Sequence, residues 1–292
     1  MAKYELTASS IIHLTHTLYR IRALADFGSV RIGQLGGFVH STDNLAQDGE
    51  AWIADDAKVF MDARISDNAR ISGDAQVHGE AAIRGNAMIA DDARVSGNAV
   101  VDRKARILGQ AEVTGHARVR GDVEISGKAS VSGQAHVTDN ACVTDDARLY
   151  EHGWAFGDCR ISGSARIHGH AKISGSARIS GNADIHGDAA VYGDARADSS
   201  ARIFGHAAIF GDARVGKPLV TATRSDGETF SLVATPRGPR VIAAYEYLDF
   251  AAARDHWTAS DEDAAVIAES LAIIDHFARI APITGLDRPM PD

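Results

Sequence analysis

The chain has 292 residues and a formal net charge of −9, with 45% hydrophobic and 24% charged residues. This composition is typical of soluble proteins with a substantial buried core. No segment approaches the ~18 consecutive apolar residues of a membrane-spanning helix, and the first residues lack the pattern of a secretion signal. The acidic balance argues against general nucleic-acid binding, which requires a basic excess. We therefore expect a cytoplasmic protein without a membrane or nucleic-acid partner.

Residues 1–50 precede the repeats and are predicted to form a β-rich N-terminal cap. They contain an apolar, extended stretch at residues 10–24 and a glycine-rich segment at residues 33–39. A repeated β-structure needs such a cover at its end, because an unpaired strand edge would otherwise pair with other chains.

Residues 51–216 repeat every six residues without an insertion or deletion, as in Ala-Arg-Ile-Ser-Gly-Asp from Ala69. Position 1 is almost always Ala, position 3 is Val or Ile, and position 5 is Gly or Asp. Positions 1 and 3 point to the same side of an extended strand. Positions 4 to 6 supply a turn, where Gly, Asp and Asn tolerate left-handed backbone. The pattern predicts an all-β solenoid, a parallel β-helix of about nine triangular coils with three hexads in each coil.

Residues 217–292 are predicted to form a small α+β C-terminal domain. The stretch at residues 219–243 predicts a β-meander with turns at Ser-Asp-Gly 225–227 and Pro-Arg-Gly 236–238. Helices are expected at about 249–257 and 261–281, the second ending before Pro282. This segment has 12 acidic and 7 basic residues, so it holds most of the excess negative charge. Cys142 and Cys159 are too few for a disulfide framework.

The hexads resemble the repeat of the hexapeptide acyltransferase superfamily, in which an aliphatic residue is followed four positions later by a small one. The resemblance implies a left-handed coil, which periodicity alone does not determine. The ends of the chain resemble bacterial and phage-encoded hexapeptide-repeat proteins that are labelled transferases or polymer-forming, cytoskeleton-like proteins. The motifs that carry this likeness are Leu-Gly-Gly-Phe-Val at 35–39, Asn-Leu at 44–45, Asp-Gly-Glu-Ala-Trp-Ile at 48–53, Thr-Arg-Ser-Asp-Gly-x-Thr-Phe at 223–230 and Asp-His-Trp at 255–257.

Outward side chains one coil apart should stack in columns, and most aromatic residues of the repeats gather around one face. A clustered apolar surface of this kind usually marks an interface, although chance placement of a few large residues is the alternative. The resemblance implies that the interface joins copies of the chain in a homotrimer. The predicted partner or oligomer face comprises Val100, Tyr150, Trp154, Phe156, Tyr192, Phe204 and Phe210.

A second column consists of Arg160, Arg178, Arg196 and Arg214. Arginines ~5 Å apart repel one another unless they are compensated. Several acidic residues lie within two positions of them, which favours a solvated ladder of salt bridges. An anion-binding surface is the alternative. The acidic residues in question are Asp158, Asp194, Asp198 and Asp212.

A corner column contains His152, His170, Asp188 and His206, which are weak candidates for metal ligands. Trimeric β-helix carbonic anhydrases, which the fold resembles, bind zinc at subunit interfaces, and neutral imidazole is a good zinc ligand. The spaced ligands of that family are not recognisable in these hexads. We therefore favour exposed turn residues here, and expect no metal or other cofactor.

No hexad carries an inserted loop or a fixed pair of histidine and acid, which hexapeptide acyltransferases use. We therefore expect a non-enzymatic, rigid binding or structural protein. The phage-like ends suggest an accessory protein that engages a host protein, for example one that inhibits a host defence system. Two alternatives stay open: an acyltransferase of the hexapeptide superfamily, and a zinc-dependent hydratase-like site at the histidine corner.

Overall fold

A computed structural model of the chain describes residues 2–217 and 219–286. They fall into two compact units, which lie within residues 1–157 (unit 1) and 158–292 (unit 2). The repeats form a β-solenoid of about 10 turns with parallel sheets, and two α-helices lie near the C-terminal end of the described residues. The predicted all-β solenoid with a small C-terminal domain is therefore confirmed. The left hand of the coil stays a prediction.

Each hexad folds as the pattern predicts, with a short strand followed by a tight turn. In Arg70–Ile71, for example, Arg70 faces outward and Ile71 is fully buried, next to the buried Ala69. Position 5 adopts positive φ whether or not it is glycine, as Gly73 (φ 68) and Asp91 (φ 61) show. The inward Ala and Val or Ile side chains therefore form a continuous apolar core within each unit.

Three parallel sheets run through the repeats of unit 1, and we call them faces 1, 2 and 3. Each strand residue pairs with the residue one coil later, as Arg94 does with Glu112. Face 1 contains Lys58–Val59, Gln76–Val77, Arg94–Val95, Glu112–Val113, Ser130–Val131 and Arg148–Leu149. Face 2 contains Arg64–Ile65, Ala82–Ile83, Val100–Arg103, Arg118–Gly121, His136–Asp139 and Trp154–Ala155. Face 3 contains Trp52–Ile53, Arg70–Ile71, Met88–Ile89, Arg106–Ile107, Glu124–Ile125 and Cys142–Val143.

The N-terminal residues of unit 1 extend face 1. Tyr4–His13 and His16–Ala23 form an antiparallel hairpin, and Leu35–Val39 joins its second strand to Lys58–Val59. The 3-10 helix Thr42–Asn44 follows. The side-chain amide of Asn44 donates hydrogen bonds to the carbonyls of Met61 and Ala63, both at 2.9 Å. These contacts hold the cap against the first coils.

The repeats of unit 2 also form three sets of parallel strands, and we call them faces 1, 2 and 3 as in unit 1. Face 1 of unit 2 contains Arg166–Ile167, Asp184–Ile185 and Arg202–Ile203. Face 2 contains Lys172–Ile173, Ala190–Val191 and Ala208–Ile209. Face 3 contains Arg160–Ile161, Arg178–Ile179, Arg196–Ala197 and Arg214–Val215.

The C-terminal part of unit 2 is an antiparallel sheet with two helices. Its strands are Val220–Thr223, Thr229–Val233, Arg240–Ala243 and Glu246–Leu248, and its helices are α1 (Phe250–Thr258) and α2 (Ala264–Thr284). Phe230, Trp257 and Phe277 are buried together between them. The backbone N–H of Arg214 donates to the carbonyl of Ala234, so the sheet pairs with a strand of the last coil. Among the described residues, neither helix has the length and apolar character needed to cross a membrane.

Helix α2 corrects one expectation. It does not end before Pro282 but continues to Thr284, where Gly285 adopts left-handed backbone (φ 71) and caps it. Proline within a helix removes one backbone hydrogen bond. Here the loss falls in the last turn, where the hydroxyl of Thr284 donates to the carbonyl of Ile280 at 3.0 Å and helps to satisfy the helix end.

Candidate functional site: two outer faces of unit 2

Face 2 of unit 2 has a flat floor of small side chains. Ala190 and Ala208 pair in register at its centre, next to Lys172, and both alanines are only partly exposed. Position 2 of each hexad must face outward, so an alanine there leaves a shallow depression between the bulkier corner residues. The floor can therefore admit side chains from a partner.

Stacked rings border this floor on both sides. On one corner, the rings of His168 and His186 stack with centroids 5.0 Å apart, and His186 stacks on Phe204 at 5.6 Å. On the other corner, Tyr192 stacks on Phe210 at 4.9 Å. The stacking follows from the fold, because position-4 residues one coil apart are neighbours. Phe204 remains 46% exposed.

Phe210 has a second contact within unit 2. Its ring lies 5.8 Å from that of Tyr247, whose hydroxyl donates a hydrogen bond to Asp212. Burial and this hydrogen bond raise the pKa of Tyr247. Phe210 is therefore shared with the C-terminal domain, whereas Tyr192 on the same corner is half-buried and Phe204 on the opposite corner is exposed.

In unit 1, the structure brings together two of the predicted interface residues. Trp154 on face 2 is 40% exposed, and its ring lies 4.9 Å from that of Phe156 and 6.1 Å from that of His136. Burial and the neighbouring Arg118 lower the pKa of His136. Tyr150 and Val100 are partly exposed, and Val100 pairs with Ala82 and Arg118 on the same face.

Face 3 of unit 2 carries the predicted arginine column. Arg160, Arg178, Arg196 and Arg214 are in-register neighbours on successive strands. Arg160, Arg178 and Arg196 are exposed. In the part of the chain that the structure describes, none of these three forms a salt bridge, so the expected ladder of ion pairs does not form there. The carboxylate of Asp212 instead accepts the hydrogen bond of Tyr247.

Some other charged columns of the repeats alternate in sign. On face 3 of unit 1, Arg106 pairs with Glu124 at 3.2 Å. At a corner of unit 1, Asp102 lies between Arg84 and Arg120, 3.4 Å from each. On face 1 of unit 2, Asp184 separates Arg166 from Arg202. The arginine column of face 3 in unit 2 has no such alternation.

The residues of the predicted histidine corner, His152, His170, Asp188 and His206, are all exposed. The Nδ1 of His206 lies 3.7 Å from Asp188, and both side chains are well exposed. Within residues 2–217 and 219–286, no group of three or more His, Cys, Asp or Glu residues has the geometry to hold a metal ion. In unit 2, a carboxylate of the neighbouring column, Asp184, lies 3.1 Å from Nε2 of His168.

Two clusters were not found by sequence reasoning. In unit 1, His13, His16 and His78 surround the ring of Phe60, with centroid distances of 4.8 to 5.6 Å. Periodicity could have linked Phe60 to His78, one coil later, but the two other histidines come from the N-terminal hairpin. In unit 2, Arg224 binds several residues of the C-terminal domain. It belongs to the segment whose resemblance to phage proteins the sequence indicated.

Unit 2 also contains a mainly apolar cavity of ≈ 640 Å³ between the last coil and the C-terminal domain. Leu219, Leu232 and Leu286 contribute apolar walls, and Asp198 and Arg214 contribute charge.

Comparison with known proteins agrees with the fold. A family model described as YdcK Beta solenoid repeat matches residues 63–79, which correspond to about one coil of unit 1. No curated protein matches the chain. The match supports a β-solenoid repeat protein and reaches only a small part of the chain.

Proposed function

We propose that this chain is a rigid β-solenoid scaffold that acts by binding other proteins, and that it assembles with further copies of itself through face 2 of unit 2. One observation carries the proposal: the floor of Ala190 and Ala208 lies between two rows of stacked rings, and Phe204 is exposed at the end of one row.

The physical properties of this surface suit binding. Aromatic side chains bury a large area with few rotatable bonds, so fixing them at an interface costs little entropy. Here the rings are already ordered by stacking on one another, and the floor belongs to a hydrogen-bonded sheet. A surface that is ordered before binding loses less free energy on association than a flexible one.

A homotrimer is the assembly that we favour, because the hexads resemble those of trimeric hexapeptide-repeat proteins. The proposal also retains a host protein as a further partner, on the likeness of the chain ends to phage-encoded proteins. Inhibition of a host defence system is one form that such binding could take. The trimer and the host partner are separate parts of the proposal and need separate tests.

The test of self-association is the solution mass of the full chain and two variants, measured by light scattering. Phe204→Glu places a charge on the stacked edge, whereas Met88→Glu places the same charge on an apolar residue of face 3 in unit 1 that is also partly exposed, at 40%. We expect the wild type and Met88→Glu to have three times the chain mass of 30.9 kDa, and Phe204→Glu to be monomeric. A monomeric wild type would overturn the proposed assembly.

Binding to a host protein is tested by affinity capture from bacterial lysate with immobilised wild type and Phe204→Glu. A protein that both forms retain, and that binds the purified chain directly in a calorimetric titration, would support the host partner. Capture without direct binding would count against it, and would leave the self-association result unaffected.

A further inference from the structure

The arginine column on face 3 of unit 2 is arranged in a way that stability does not explain. The strands of Arg160, Arg178 and Arg196 are hydrogen-bonded neighbours in register, so their outward side chains start ~4.8 Å apart. Like charges directly opposite each other on neighbouring strands are destabilising. A column of like charges that the protein keeps at such spacing indicates a binding surface for the opposite charge.

The comparison with face 1 of the same unit strengthens this point. There Arg166 and Arg202 occupy the same hexad position, but Asp184 lies between them and pairs in register with both strands. The two faces have the same backbone geometry and differ in whether a carboxylate separates the arginines of the column. On face 3, three arginines follow one another on successive strands with no carboxylate at the same hexad position between them.

The residues beside the arginines define what kind of anion fits. Arg178, at the centre of the column, has Ser176 and Ser180 as its nearest outward neighbours along the chain, and Arg160 has Asp158 and Ser162. Guanidinium groups with hydroxyls nearby match the several oxygens of a phosphate group, since arginine forms paired hydrogen bonds to phosphate. The centre of the column therefore offers donors without a carboxylate between them.

The same neighbours distinguish among phosphate polymers. Proteins that bind single-stranded nucleic acid combine positive charge with aromatic side chains on which bases stack. The outward positions that flank Arg160, Arg178 and Arg196 are Ser162, Ser180 and Asp198 on one side, and Asp158, Ser176 and Asp194 on the other. None of these described residues is aromatic. The surface can hold a row of phosphates but offers nothing to bases.

We infer that face 3 of unit 2 binds a linear chain of condensed phosphates, as in inorganic polyphosphate, along the row of Arg160, Arg178 and Arg196. Such a chain carries negative charge at every unit and can follow a straight row of guanidinium groups. Its binding removes the repulsion between the arginines. This role is independent of the proposed assembly through face 2.

The test is the affinity of the full chain for sodium polyphosphate, measured by calorimetry at low and at moderate salt. The ladder variant carries Arg160→Gln and Arg178→Gln, and the matched control carries Arg166→Gln and Arg202→Gln on face 1. We expect the ladder variant to bind about tenfold more weakly or worse, the control to stay within about threefold of the wild type, and added salt to weaken binding. Thermal unfolding provides an independent check, because the ladder variant should melt at the same or a higher temperature than the wild type.

Three results would each overturn the inference. The first is no binding of polyphosphate by the wild type at low salt. The second is an equal loss of affinity in the ladder variant and the control, which would indicate general charge attraction. The third is tighter binding of an oligothymidylate or of heparin than of polyphosphate, which would assign the arginines to nucleic acid or to a sulfated glycan instead.

Discussion

Position 5 of the hexad shows how single residues determine whether coils can stack. Asp55, Asp67 and Asp91 have left-handed backbone there, which Asp tolerates better than most residues. In each case the residue one coil later is glycine, and its N–H donates to the Asp carboxylate at 2.8 to 3.0 Å. A side chain at position 5 therefore lies over the next coil, and only a glycine leaves room for it.

This rule predicts different outcomes for the same substitution at two equivalent glycines. Gly85 lies between Asp67 and Arg103 in its column, and an added Cβ would meet the Arg103 backbone at 2.8 Å. Gly97 lies between two glycines in its column, and an added Cβ would meet the Gly115 backbone at 2.9 Å. An Asp at position 97 can relieve this contact by adopting the arrangement of Asp91, which precedes a glycine in its column and accepts from the N–H of Gly109. We expect Gly85→Asp to destabilise the protein by about 2–3 kcal/mol, and Gly97→Asp to cost about 1 kcal/mol or less. Chemical denaturation of both variants measures the difference, and equal losses would contradict the rule.

His78 is the residue for which the structure predicts a pH dependence of stability. Its ring stacks on Phe60, and burial, together with His13 and Arg94, lowers its pKa from 6.5, while Glu112 opposes the shift. The folded protein therefore favours the neutral ring, whereas the unfolded chain takes up a proton near pH 6.5. The stability that neutral His78 contributes is complete above that pH and is lost as the pH falls below it.

We therefore expect the melting temperature to fall between about pH 7.5 and about pH 5.5, and the fall to be smaller in His78→Phe, which keeps the ring stack without a titrating group. His116→Phe is the matched control, because His116 is an exposed histidine of the repeats in the same unit. An unchanged fall in His78→Phe would show that other groups cause the acid sensitivity.

Among the elements, the C-terminal sheet and helix α2 are joined by one buried arginine. The guanidinium of Arg224 donates to Asp226 at 2.7 and 2.9 Å, to Glu262 at 2.9 Å and to the hydroxyl of Ser270 at 2.9 Å. These bonds raise the pKa of Arg224, and Arg224 lowers the pKa of Asp226 to about 2. The segment that resembles phage proteins therefore has a clear structural role.

We expect Arg224→Ala to destabilise the C-terminal domain by about 2–4 kcal/mol, since it removes several charge-assisted hydrogen bonds and leaves Ser270 buried without that partner. Arg237→Ala should change stability by less than about 0.5 kcal/mol, because Arg237 is exposed on a turn. Limited proteolysis followed by mass spectrometry would locate the effect. Cleavage within residues 219–286 in Arg224→Ala alone is the expected result, and equal resistance of both variants would contradict it.

The same domain shows which elements sequence reasoning can reach. The three strands of the predicted meander and both helices are present, because turn residues and helical periodicity are local signals. The strand Glu246–Leu248 was missed, since three residues are too few to show alternation. The predicted end of α2 was wrong because a proline near a helix end can be tolerated when Gly285 and Thr284 complete the last turn.

For the whole molecule, the repeat determines both the fold and the order of the surface columns. Arg160, Arg178 and Arg196 could be aligned from the sequence, because the spacing of eighteen residues is a consequence of three hexads in a coil. The periodicity did not show which charges are compensated. That depends on which way side chains turn at the corners and on partners from the C-terminal domain, as with Asp212 and Tyr247.

For face 2 as for face 3, the sequence predicted which residues share a surface but not all of their contacts. The aromatic residues around face 2 could be grouped from the sequence because large rings are rare in the repeats. The contact between Phe210 and Tyr247 of the C-terminal domain was not predicted. A solenoid separates these functions, since the core uses positions 1 and 3 and leaves positions 2, 4 and 6 open to change. Face 2 and face 3 can therefore specialise for different partners without altering the fold, and variants on one face should leave binding at the other unchanged.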